Sequence, residues 1–116
     1  MNWNKVKWGL EELSCLDYQE RVWCKQEVEP TEISSFEEAV SLLFDDSGLA
    51  DYLYKNTKPS NLRDVTFKKF QAFEKELKRV PVGLKPNELI SMPTMRIIRN
   101  LAEELLHEIK MSNLEC

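Results

Sequence analysis

Five carboxylates and no cation lie in the stretch FEEAVSLLFDDSGLAD, residues 36 to 51: Glu37, Glu38, Asp45, Asp46 and Asp51. The stretch belongs to a longer run, Gln26 to Tyr54, that holds eight acids and neither Lys nor Arg. Gathered carboxylates can ligate a divalent cation, exchange protons as general acid and base, or attract a cationic partner through their field. They also serve as helix punctuation, because acids near a helix start stabilise its exposed amide hydrogens.

Spacing separates these roles. A calcium loop needs oxygen ligands at alternate positions before a turn glycine, and with Gly48 as that glycine the first ligand position falls on Leu43. A magnesium site assembled from several helices leaves no mark in a sequence, so a carboxylate-based divalent-metal enzyme stands as an alternative. No cofactor is specified by any pattern. His107 is the only histidine and sits among Asn100, Glu103 and Glu104 on the polar side of a helix, the place of a solvated residue. HExxH, GxSxG, the phosphate-binding loop and the dinucleotide glycine pattern are all missing, and the chain has three glycines in all. The acid pairs Glu11–Glu12 and Glu103–Glu104 are too generic to nominate catalysts. Cys15, Cys24 and Cys116 are odd in number and fit no zinc or redox spacing. Cys15 and Cys24 are expected as small core fillers, and Cys116 as a free tail thiol.

The elements that must position these groups follow from apolar spacing. Trp3, Val6, Leu10 and Leu13 share one stripe of a helix that Asn2 can cap. Asp17 is the expected cap of a short second helix ending near Gln26, with Tyr18, Val22 and Trp23 inward, and Pro30 breaks the pattern after it. Ser35 and Glu38 have capping-box spacing, opening a helix from Phe36 to about Asp46. There Phe36, Val40 and Leu43 face inward, while Glu37, Glu38, Ser41 and Asp45 face water. Asp46 or Ser47 is expected to cap the next helix, entered through a left-handed Gly48 and carrying Leu49, Tyr52 and Leu53. Asn61 to Val80 reads as the clearest helix, with Leu62, Thr66, Phe70, Phe73, Leu77 and Val80 inward. Its reverse face carries Lys68, Gln71, Lys75, Lys78 and Arg79, with Phe67 at the edge of that basic stripe. One helical turn at Asn87 to Ile90 precedes a last helix begun by Pro93, with Met95, Ile98, Ala102, Leu105 and Ile109 inward.

Nothing alternates at period two. The expected fold is all-α: one domain, residues 1 to 116, formed as an irregular bundle of five to six short helices around one core. The longest apolar run is three residues, and the start MNWNKVKWGLEEL lacks a signal-type apolar region, so a cytoplasmic location and no membrane partner are expected.

Charge is unevenly spread. Residues 1 to 58 have 12 acids against 6 bases, and residues 59 to 116 have 8 acids against 10 bases. An acidic total of −4, with no helix-turn-helix feeding the basic helix, argues against nucleic acid, although binding through the basic face of 61 to 80 remains a third reading. Self-association, basic face of one copy against the acidic face of another, is also compatible with this layout. Trp8 lies about 140° round its helix from Trp3, and the expectation is that a neighbouring helix covers it.

In size, helical content and clustered acidic surface the chain resembles the nuclease immunity proteins, small acidic helical proteins that neutralise bacterial toxins. The resemblance is one of overall form and assigns no residue a role. It implies a non-catalytic protein-binding module, an immunity- or antitoxin-like inhibitor that sets an acidic helix against a basic partner such as a toxin. The binding residues expected on that reading are Glu37, Glu38, Asp45, Asp46 and Asp51, with Trp8 or Tyr52 as aromatic anchors.

Overall fold

The computed structural model describes residues 1–24, 35–81 and 83–112, the Cys24 side chain excepted. The break expected at Pro30, the end of the second helix near Gln26 and the roles expected for Cys24 and Cys116 lie outside the described residues. Helix α1 spans Trp3–Ser14, and the Asn2 side chain caps it by accepting from the Lys5 amide at 3.2 Å. Trp3, Val6, Leu10 and Leu13 are buried, as their spacing predicts. Helix α2 covers Leu16–Tyr18 and widens into π geometry over Gln19–Cys24. Its cap is Cys15, whose sulfur accepts from the Tyr18 amide at 3.4 Å, and Asp17 falls in the first turn instead. Cys15 is exposed and not a core filler, because it forms the bend between α1 and α2 and so stands off the apolar stripe.

Helix α3 covers Phe36–Ser41 and continues as a π segment over Leu42–Asp46. The Ser35 hydroxyl accepts from the Glu38 amide at 3.2 Å. Gly48, at φ 91°, ends this helix and leads into α4, Leu49–Tyr54. Ser47 joins the two: its buried hydroxyl donates to the Leu43 carbonyl and accepts from the Leu49 amide. Helix α5 is Asp64–Lys78, three residues shorter at its start than expected, since Leu62 first closes a turn onto the Pro59 carbonyl. The short α6, Pro86–Ile90, and the long α7, Pro93–Met111, complete seven α-helices among the described residues. No strand occurs among the described residues, and the architecture is an all-α bundle.

Burial of one continuous apolar cluster holds these helices together. Its largest fully buried members include Trp23, Phe70, Phe73, Leu10 and Met95. Helix α1 packs extensively both on α7 and on α3 with its π segment, while α5 also packs on α7. Phe67 belongs to this core at 7% exposure and not to the edge of a basic stripe. Helices α1 and α3 come close enough to touch through backbone: a Cβ at Gly9 would lie 2.7 Å from Leu43 Cβ and 3.1 Å from the Ala39 carbonyl oxygen. No described helix is long and apolar enough to cross a membrane.

One polar clamp ties α5 to α7. The Thr66 hydroxyl donates to one Glu108 oxygen at 2.7 Å, and Lys69 donates to the other. Burial pushes the Glu108 carboxyl up, but the bonds from Lys69 and Thr66 outweigh it and hold the carboxyl below its ordinary value. A depressed carboxylate contributes stability above its unfolded pKa, about 4.3, and loses it as pH falls through the lower folded value. Glu108→Gln is therefore expected to cost about 1 kcal/mol at neutral pH, and the gap to the parent should close on acidification below about pH 4. Urea midpoints of the two proteins at both pH values check this; a gap independent of pH would show that the clamp is not ionic.

Candidate functional site

The acidic stretch is built on α3 and its π segment, which hold one apolar side against α1 and the core and turn the other outward. Ala39, Leu43 and Phe44 are buried, whereas Glu37, Glu38, Asp45 and Asp46 are all exposed. Among the described residues, none of these four carboxylates joins an ion pair with a cation of this chain. The lysines of α5 are not folded over them. Lys78 pairs with Glu74 at 3.7 Å and Arg79 with Glu76 at 3.6 Å, both on their own helix. Asp51 differs from the four, because Lys55 lies 3.4 Å from it on the same exposed turn of α4.

Position on the helix distinguishes the four further. Glu37 and Glu38 occupy the first turn of α3, where carboxylates meet the positive end of the helix dipole. Asp45 and Asp46 sit at the far end of the same helix, where each costs roughly 0.3–1 kcal/mol. Ser47 satisfies the junction with α4, so neither aspartate is needed as its cap. Two charges are thus kept where the local fold gains nothing from them.

Beside this face, α3 and α5 leave a groove of about 220 Å³ lined by Phe36, Val40, Phe44 and Leu77, with Asp45 and Lys78 among its polar members. Acid and apolar surface meet there, the composition of a docking site for a cationic, partly apolar segment.

No family model, curated protein or solved structure matches this chain. The geometry of the molecule itself must therefore carry the functional reading.

Of the two aromatic anchors, Tyr52 is half-buried and packs against the core. Trp8 departs from expectation: at 53% exposure it is uncovered, because α3 takes the Gly9 side of α1 and leaves the next position outward to solvent. It lines a larger groove with Glu11, Glu12, Cys15 and Tyr18, a site the sequence reading missed because it treated Glu11 and Glu12 as generic. The signal that marked it was Trp8 itself, a large aromatic placed off the apolar stripe. No group of three His, Cys, Asp or Glu side chains placed to hold a metal ion occurs among the described residues. His107 is exposed. On the basic face of α5, Lys68 and Lys75 are exposed, and Gln71 is engaged with Asn56 at 2.8 Å.

Proposed function

We propose that this chain is a non-catalytic binding protein that receives a basic partner protein on the outer face of α3, in the manner of an intracellular immunity- or antitoxin-like inhibitor. The observation that supports it is the set Glu37, Glu38, Asp45 and Asp46: exposed, unmatched by any cation of the described chain, and half of it placed against the helix dipole. Such a field steers encounter with a cationic surface and raises association rates by tenfold or more at low salt. The neighbouring groove of Phe36, Val40, Phe44 and Leu77 supplies apolar area for the bound state. Asp51 stands at the border of the face, its charge partly matched by Lys55.

The double variant Glu38→Lys, Asp45→Lys tests the reading with a labelled hexaarginine amide as cationic probe. Association followed by stopped flow at low ionic strength is expected to slow about tenfold, and the difference should shrink in high salt. Both positions are exposed, so the fold should persist, as circular dichroism would record. An unchanged association rate would remove this face as the docking surface.

A further inference from the structure

The groove at the bend between α1 and α2 has a composition the acidic face lacks. Trp8 and Tyr18 bring aromatic surface, Glu11 and Glu12 bring carboxylates, and the space they line is about 520 Å³. Aromatic faces attract cations through their quadrupole, with indole the strongest, and a guanidinium can stack on a ring while its edge hydrogen-bonds a carboxylate. The chain already shows that chemistry at one lining residue, where the Arg21 guanidinium carbon lies 5.7 Å from the centre of the Tyr18 ring. Trp8, a second lining residue, is exposed, and Glu11, also exposed, joins no ion pair among the described residues.

We infer that this groove is an arginine-binding anchor: a partner's arginine side chain stacks on Trp8 and hydrogen-bonds Glu11, fixing the register of a basic segment that the α3 carboxylates attract. The inference rests on the proposed function and adds the identity of the side chain that is gripped. Its charge is complementary to the groove, and its planar cation matches an aromatic wall with an acid beside it. A lysine ammonium satisfies the charge but not the stacking.

Trp8 is itself the reporter. Trp3 and Trp23 are 4% and 1% exposed, so a ligand arriving from solvent alters chiefly the emission of Trp8. Unlabelled hexaarginine amide is expected to shift or quench that emission saturably, and hexacitrulline, neutral but of similar shape, should not. By anisotropy with labelled peptide, Trp8→Leu and Glu11→Gln should each weaken binding about threefold to tenfold, with helicity unchanged, in line with one exposed cation–π contact and one charged hydrogen bond. Equal affinity for hexalysine would overturn the stacking site. So would hexaarginine binding that leaves Trp8 emission untouched and Trp8→Leu unimpaired, although sensitivity to Glu38→Lys, Asp45→Lys would then still support the acidic face. An absence of hexaarginine binding at low salt overturns both readings.

Discussion

Replacing Gly9 with alanine is expected to lower the stability of this protein by about 2 kcal/mol, and replacing it with valine by about 4 kcal/mol, on the scale of overpacked cores. Helix propensity alone gives the opposite sign, because alanine improves on glycine in a helix interior by about 1 kcal/mol. Packing decides. A Cβ on Gly9 would stand 2.7 Å from Leu43 Cβ, 3.0 Å from Leu43 Cα and 3.1 Å from the Ala39 carbonyl oxygen. Two of those three atoms are backbone, so no rotamer change relieves the overlap, and α1 must move away from α3. Both Ala39 and Leu43 are fully buried, so that movement opens the core. Thermal unfolding should show the alanine variant melting about 10 °C below the parent. An alanine variant as stable as the parent would mean that the two helices do not approach as closely as described.

Gln19→Leu is expected to cost about 3 kcal/mol, although leucine is apolar and fits a buried position in size. The Gln19 side chain is fully buried and satisfied at both ends. Its amide nitrogen donates to the carbonyls of Glu12 at 2.9 Å and Leu13 at 3.0 Å, near the end of α1. Its oxygen accepts from Arg99 Nη1 at 3.2 Å, and Arg99 also donates to the Ile90 carbonyl at 3.3 Å. One side chain therefore stabilises the end of α1, which has no basic residue in its last turn, and fastens α2 to α7. Leucine removes the donor from two carbonyls and the acceptor from a half-buried cation, and each buried group so stranded costs about 1–3 kcal/mol. Burial, with repulsion from Arg96, already lowers the Arg99 pKa against the pull of Glu20, which marks the desolvation this cation bears. Urea denaturation of Gln19→Leu beside Arg99→Met checks the coupling. If the two losses simply add in the double variant, the residues are not partners.

The buried stripes of α1 and α7 are readable from spacing alone, down to Met95, Ile98, Ala102, Leu105 and Ile109, because each lies on a regular helix with one apolar side. The caps Asn2 and Ser35 and the left-handed Gly48 are equally local and equally readable. What spacing misses is whatever depends on a second helix. Whether Trp8 is covered turns on which flank of α1 faces α3, and only the Gly9 contact settles that. A glycine inside an otherwise good helix was the one available hint, since it costs stability unless a neighbour needs the room. Gln19 joins groups 6, 7 and 80 residues away, so no periodicity could mark it. The π segments escape a wheel of fixed pitch as well. The expected inward positions Val22, Trp23 and Leu43 are nonetheless buried there. The acidic face was visible as composition, but its lack of matching cations required the position of α5.

The pairing of α1 with α7 also has a bearing on synthesis. These helices share one of the broadest contacts in the bundle, yet about 80 residues separate the end of one from the start of the other. A ribosome working at roughly 5–20 residues per second finishes α1 several seconds before it finishes α7. During that interval α1 has only α3 with its π segment to pack against and lacks the part of its contacts that α7 supplies. The first helix completes its packing only when the last one arrives.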